Sequence, residues 1–386
     1  MFVRLAVAIA LSVTASSVLA SAAGPLETLE TGATVRSQAV RLAPPKRSVS
    51  VLAGGDVLTE ERVRLAAAAA GSASGTRFDF GPMFGEMREV IEAADLAICH
   101  METPVGPPGA SYGVAGRSPF GGNLLLAPNE IAGGLRNAGF DRCSTASNHA
   151  NDLGSAGIDS TITALNAVGI STAGTARNAN ESSVAVFSTK GVKIAHLSFT
   201  TYSNTVAPTE SWRLNHTRDA RRIADDIAAA RRSGAEIVLV SLHVSTELQT
   251  GPTAADRALV TAMTSMSDVD AVFMHGPHVV QPFEVVNGTP VWWSLGNFVS
   301  EMGPPSVGRY ASPRTSDGLL AFIRFDERAS GGFAVMTASV AVCNDFADRT
   351  VRSATVGLAR PDLPIRVRDE LWQCLARTRQ LVPAAL

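Results

Sequence analysis

Apolar positions along this chain fall into two rhythms, short unbroken runs ended by glycine or a polar side chain and longer stretches at helical spacing. The run Val49 to Ala53 predicts a strand stopped by Gly54-Gly55-Asp56. An alanine-rich stretch from Glu60 to Ala70 and a second from Met83 to Ala93 predict helices. Leu96 to Cys99 predicts another strand, delivering His100-Met101-Glu102-Thr103-Pro104. Residues 107–128 are rich in glycine, proline and serine and read as one long loop, a length that in a compact domain marks function or disorder. Asn129 to Ala138 predicts a helix closed by Gly139. A third strand then opens into Ser147-Asn148-His149-Ala150-Asn151-Asp152-Leu153-Gly154, and Ile158, Ile162, Leu165 and Val168 keep helical spacing up to Gly169.

The second half continues in the same manner. Val184 to Phe187 and Val192 to Phe199, joined at Lys190-Gly191, predict a hairpin. Asp219 to Arg232 is an amphipathic helix feeding the strand Ile237 to Leu242, which presents His243. A helix over residues 252–266 precedes a strand over 270–274 that presents His275. Asn287-Gly288 between two apolar runs is a strong hairpin signal. Strands over 318–325 and 332–342 and a helix over 368–377 follow, and the segment after Phe298 is expected to complete a second sheet. Alternating helices and strands early, with hairpins late, predict an α/β fold of mixed strand pairing with helices outside. Candidate chemistry comes from both halves, so residues 48–386 are expected to form a single domain.

Composition narrows the class. Of 386 residues, 46% are hydrophobic and 18% charged, which suits a packed core, and the net charge of −2 comes without a basic stripe, so nucleic acid is excluded as a partner. Residues 1–22 have the pattern of a secretory signal: Arg4, an apolar centre from Leu5 to Leu11, then small residues around Ala20 and Ala22. That centre is shorter than the about 20 residues of a spanning helix, so membrane contact is expected only through the export signal. Residues 23–47 read as a polar linker, and the destination as secreted or cell envelope. An oxidising destination permits disulfides. Cys343 and Cys374 lie where a bridge would staple the C-terminal tail, whereas Cys99 and Cys143 sit in apolar runs where buried free thiols are an equal reading.

The candidate chemistry gathers at strand ends. Asp56 follows the first strand, His100 and Glu102 the second, Asn148, His149 and Asp152 the third, His243 and Glu247 another, His275 and His278 the next. Each has an ordinary alternative: Asp56 as a turn residue, Asn148 or Asp152 as a helix cap, the histidines as satisfied core residues. Yet five of the seven histidines occupy such positions, and open sheets collect ligands at their carboxyl ends. One shared site follows. Imidazoles with carboxylates suit manganese, zinc or iron, as one ion or as two about 3.5–4 Å apart.

Several of these stretches resemble one family. Gly55-Asp56-Val57, Met101-Glu102-Thr103-Pro104, Ser147 to Gly154, Ser241-Leu242-His243 with Glu247, His275-Gly276-Pro277-His278 and Ser294-Leu295-Gly296-Asn297-Phe298 are similar, in order, to motifs of the CapA family, a branch of the calcineurin-like metallophosphoesterases. The resemblance implies a four-layer αββα sandwich. It further implies Asp56 and His278 at one metal position, Asn148, His243 and His275 at the other, and Glu102 near the bridge. His149 becomes the acid for the leaving group, a task suited to a side chain that titrates near neutral pH. Asp152 would orient it, and Glu247 joins the catalytic set. Position 58, where a phosphoesterase carries a histidine, is Leu58, and His100 stands where it would supply the missing ligand.

The family association points to synthesis, anchoring or processing of poly-γ-glutamate or a related cell-envelope polymer. The expected reaction is metal-assisted hydrolysis or transfer at a γ-glutamyl amide, with Arg117 and Asn297 as substrate contacts. Expected partners are an anionic γ-glutamyl polymer or cell-envelope peptide and other capsule-synthesis proteins. A phosphoesterase and a non-catalytic polymer binder are the alternatives.

Overall fold

A computed structural model describes residues 45–386 apart from residues 305 and 347. The signal segment and nearly all of the linker lie outside the described residues; Arg47, at the linker's end, is pinned by ion pairs to Glu236 and Glu327.

Strand alternation builds the layers. Strand β1 (Ser48–Val57) sends Val49, Val51 and Ala53 to one face and Leu52 to the other. It pairs in parallel with β2 (Leu96–Met101), which pairs with β5 (Arg142–Ser144), which pairs with β6 (Ser171–Ala173). On its other side β1 lies antiparallel to β14 (Asp317–Glu327), followed by β15 (Phe333–Asn344) and β16 (Val351–Ser353); short β13 (Asn297–Val299) also pairs with β1. The second sheet runs in the order β11 (Phe283–Val286), β12 (Thr289–Trp292), β10 (Ala271–His275), β9 (Ile237–His243), β8 (Val192–Thr200), β7 (Val186–Thr189).

The two sheets face each other across a core of Val49, Val51, Ile98, Ile194, Leu239, Phe273, Trp292, Leu319 and Phe325. Helices Glu61–Ser74, Ile131–Ala138 and Gly154–Ala167 cover the outer face of the first sheet through Val63, Leu135 and Leu165, packed with Leu52 and Leu320. Helices Ala220–Arg232 and Ala254–Met266 cover the second through Ile223, Ile227, Val260 and Met263. Their starts are capped as the sequence requires, by Asp219 accepting from Arg221 N and by a Thr253–Asp256 capping box. Helix, sheet, sheet, helix is the expected αββα order.

Three expectations are corrected, and one reading left open by the sequence is decided. The tail after Phe298 extends the first sheet, through β14 to β16, rather than the second, because β14 is long enough to pair with β1 over seven positions. Residues 83–93 are broken into short helical turns, Gly81–Phe84 and Arg88–Ile91 around a 3₁₀ turn, instead of one helix. Residues 107–128 are not a plain loop, since β3 (Gly113–Arg117) and β4 (Asn123–Leu126) form a hairpin there. Finally, Cys99 and Cys143, opposite each other in the β2–β5 register, form a disulfide rather than free thiols, as do Cys343 and Cys374.

Candidate metal centre

The face of each strand that looks into the space between the sheets is apolar at its beginning and polar at its end. On β2 it carries Leu96 and Ile98, then His100 and Glu102; on β9 it carries Ile237 and Leu239, then Ser241 and His243; on β10 it carries Ala271 and Phe273, then His275. The register sets His275 beside His243, and His100 beside Ser144. Asp56 joins them through an irregularity. Between Ala53 and Asp56 the pairing with β2 slips by one residue, so a side chain that strict alternation would send to the helices turns inward beside His100.

Three overlapping groups of ligand atoms result: Asp56, His100 and His275; His100, Glu102 and His243; Asp56, Glu102 and His278. All six side chains are buried. His275 Nδ1 lies 3.1 Å from Asp56 Oδ1, and the Gly276 amide donates to Asp56 Oδ2 at 3.2 Å. His278 places Nδ1 3.3 Å from Asp56 Oδ2 and Nε2 3.8 Å from Glu102 Oε1. His100 Nδ1 bonds Ser144 Oγ at 2.7 Å, and its Nε2 lies 3.0 Å from His243 Nδ1. Its ring stacks on that of His275 from the facing sheet, centroids 3.9 Å apart.

Burial decides most of the charges. It drives the imidazoles of His100 and His243 down, the latter to about 3, so both are neutral and have lone pairs to give. It drives the Glu102 carboxyl well up. Asp56 stays low although buried, because His275 and His278 donate to it. His278 moves the other way: despite burial, Glu102 and Asp56 hold its pKa at about 10.

The donor set fits a divalent cation. Both carboxylate oxygens of Glu102 and Oδ1 of Asn148 are buried acceptors with no hydrogen-bond partner, an arrangement that is costly in a closed interior. Oxygen acceptors beside neutral imidazoles are what zinc, manganese or iron takes. Leu58 is buried and offers no ligand, while His100 from the neighbouring strand belongs to two of the three groups.

The turn after β10 is held in unusual backbone. Gly276 has φ of 102° and His278 of 57°. A Cβ on Gly276 would meet the Val244 carbonyl oxygen at 2.1 Å. Gly276→Ala is therefore expected to destabilise the protein by more than about 1 kcal/mol and to weaken metal uptake, because the amide on Asp56 must move. Chemical denaturation and metal titration of the variant check this.

A cleft of about 1130 Å³ opens over the centre. Asn148, His149 and His278 line it, as do Glu60, Arg62, Arg64, Arg117, Arg218, Glu247, Arg309 and Tyr310. His149 Nδ1 lies 2.5 Å from Asp152 Oδ2, which also accepts from the Leu125 amide at 2.7 Å. Asn204 Nδ2 sits 3.2 Å from His149 Nδ1. Asp152 thereby fixes the ring with Nδ1–H toward the carboxylate, and Asn204 Nδ2 lies 3.3 Å from Nε2.

Two expected roles change. Asn297 is not a substrate contact: it is fully buried, its amide donates to the Thr315 carbonyl at 2.8 Å, and its Oδ1 receives His278 Nδ1 at 3.1 Å. It positions His278. Glu247, expected in the catalytic set, is engaged in the wall of the cleft, accepting from Tyr310 Oη at 2.7 Å and pairing with Arg309 at 2.5 Å. Arg117, exposed on β3, does line the cleft. The sequence reading missed Asn204, which lies outside regular structure, and Arg309 and Tyr310, which lie on a four-residue 3₁₀ turn (Gly308–Ala311) too short to carry a periodic signal.

Comparison with known proteins follows the same residues. A family model described as bacterial capsule synthesis protein PGA_cap matches residues 50–302, a span that holds every candidate ligand. The capsule biosynthesis protein CapA of Bacillus anthracis is 29% identical over 185 residues, 46% of this chain and 44% of that protein. The PGA biosynthesis protein CapA of Bacillus subtilis (strain 168) is 29% identical over 203 residues, 52% of this chain and 51% of that protein. The chain thus spans about half the length of these curated relatives. Among solved structures, the calcineurin-like phosphoesterase YfkN from Bacillus subtilis aligns with a TM-score of 0.42 and 14% identity, over 87% of this chain and 99% of that one.

Proposed function

Because the chain belongs to the bacterial capsule synthesis protein PGA_cap family, we propose that it is an exported, metal-dependent hydrolase or transferase acting at a γ-glutamyl amide of poly-γ-glutamate or a related cell-envelope polymer, alongside other capsule-synthesis proteins. The observation that carries this reading is the set of orphaned buried acceptors, Glu102 and Asn148, beside the neutral imidazoles. Export is supported by the two disulfides and the lack of a free cysteine among the described residues.

Asp56, Glu102, Asn148, His100, His243, His275 and His278 would hold one or two divalent ions. When bound, such an ion supplies Lewis acidity, polarising the amide carbonyl and favouring ionisation of water. His149 delivers a proton from Nε2 to the departing amine, and Asp152 stabilises the imidazolium while keeping the ring oriented. Arg117 and Arg218, around the mouth, neutralise the α-carboxylates of an incoming polyanion.

The test is to measure bound metal in the purified protein and then to supply poly-γ-glutamate, short γ-glutamyl peptides and a phosphodiester reporter. Metal with amide cleavage is expected, and His149→Ala should lower turnover by about 10²–10⁴-fold while leaving the metal content unchanged. Reporter turnover without amide cleavage would replace this reading by a phosphoesterase. A metal-free protein that binds polymer and does not cut it would sink both.

A further inference from the structure

A second polar cavity, of about 480 Å³, opens where β5 and β6 of one sheet meet β8 of the other. Its wall contains Arg142, which is only 6% exposed and, among the described residues, has no carboxylate partner. Its Nε donates to His196 Nδ1 at 3.1 Å, one terminal nitrogen to Ser171 Oγ at 2.9 Å and the other to the Thr172 carbonyl at 2.9 Å. A guanidinium has five N–H groups, so two remain, one on each terminal nitrogen, without a partner among the described residues. One ring face, that of Phe187 at 4.8 Å, is the remaining contact with the charge.

The neighbours do not cancel this charge. His196 Nε2 is committed to Ser241 Oγ at 3.0 Å, and burial together with the nearby guanidinium keeps that imidazole neutral. The two acidic groups in the wall, Glu181 and Asp226, are each paired with another arginine, Arg177 and Arg222. A buried cation facing an open cavity with two unused donors is a binding site for an anion.

We propose that this cavity is a second ligand site, separate from the metal centre, that takes the carboxylate of a small organic acid on Arg142. A carboxylate matches two donors and one positive charge. A phosphate dianion would bring a second negative charge that the single Arg142 guanidinium does not offset, so the site favours a carboxylate. Trp212, Ser182 and Ser183 offer an aromatic face and hydroxyls for the rest of the molecule. The site is also wired to the metal centre by strand geometry. Arg142 and Ser144 share one face of β5, and Ser144 holds His100; Ser241 and His243 share one face of β9.

The experiment uses the full chain with L-glutamate, acetate and inorganic phosphate as probes, read by calorimetric titration and by tryptophan fluorescence. Expected are saturable binding of L-glutamate and acetate, at least tenfold weaker binding in Arg142→Met, and unchanged binding in Asp56→Asn. Because Arg142→Met removes a buried anchor and risks misfolding, crystals of the unaltered protein soaked with 4-bromobenzoate, a carboxylate whose aryl halogen does not leave, give an independent readout, with the carboxylate expected on Arg142. No carboxylate binding, tighter binding of phosphate than of carboxylate, binding that survives Arg142→Met, or a bromobenzoate located elsewhere would overturn the assignment. Binding retained in Asp56→Asn separates this site from the proposed metal-dependent activity, which that variant removes.

Discussion

Asp56→Ala is expected to leave a folded protein that holds no metal and shows no turnover above background. Asp56 takes part in two of the three ligand groups, and its two oxygens receive His275, His278 and the Gly276 amide. Loss of a residue that merely supports a ligand costs about 10–100-fold in metal affinity, so loss of this one should cost more. The pH dependence has a definite sign. In the metal-free protein the carboxylates hold His278 protonated up to about 10, and burial keeps Glu102 protonated well above its usual range. A metal must displace those protons, so apparent affinity rises with pH through the neutral range, by about tenfold per unit for each proton released, and falls on acidification. Metal analysis after dialysis at several pH values reads both effects. An Asp56→Ala protein that retained a full complement of metal would remove Asp56 from the centre.

Much of this centre was legible because it obeys strand alternation. His100 and Glu102 share a face two residues apart, as do Ser241 and His243, and polar residues at the end of an otherwise apolar strand face have few places to go. The turns were legible for similar reasons: Asn287-Gly288, with φ of 50° and 85°, forms the hairpin its residue types demand. What stayed hidden depends on long-range pairing. Nothing local tells β14 to pair with β1 across the chain, and alternation alone would have turned Asp56 away from the site, since only the slipped register brings it inward. The hairpin of β3 and β4 was masked by its own glycines, prolines and serines, which carry turn signals and little strand propensity. Asn297 was placed near the right residues but given the wrong task, because a motif fixes position and not which way an amide points. Arg142 drew no notice at all. An arginine in a short strand usually snorkels to water, and its burial is evident only once His196 is seen opposite it.

Removing the Cys343–Cys374 disulfide is expected to give the largest loss of stability. Cys374 lies on helix Ile365–Arg379, and Cys343 on β15, with a sequence separation of 31 residues. Closing a loop of that length restricts the unfolded chain by an amount worth about 3.5 kcal/mol on the entropic account. The helix packs through Val367, Leu371 and Leu375, with Leu363, against Ala341 and Ala354, and it contacts both β15 and β14. Arg377 adds a bidentate pair to Asp317, at 2.7 Å to each oxygen. Leu386 also exchanges backbone hydrogen bonds with β15, at Ser339 and Ala341, and the covalent link adds to these contacts by restricting the unfolded chain. Cys343→Ala with Cys374→Ala together should therefore lower the unfolding free energy by about 3–4 kcal/mol, read as a lower denaturant midpoint, and limited proteolysis should cut first within residues 359–386. The metal centre draws no ligand from this region, so metal content should remain at the unaltered value under native conditions. A double variant with an unchanged midpoint would show that packing against β14 and β15 suffices to hold the helix. Loss of metal before loss of the helix would show that the tail and the centre are coupled through β14.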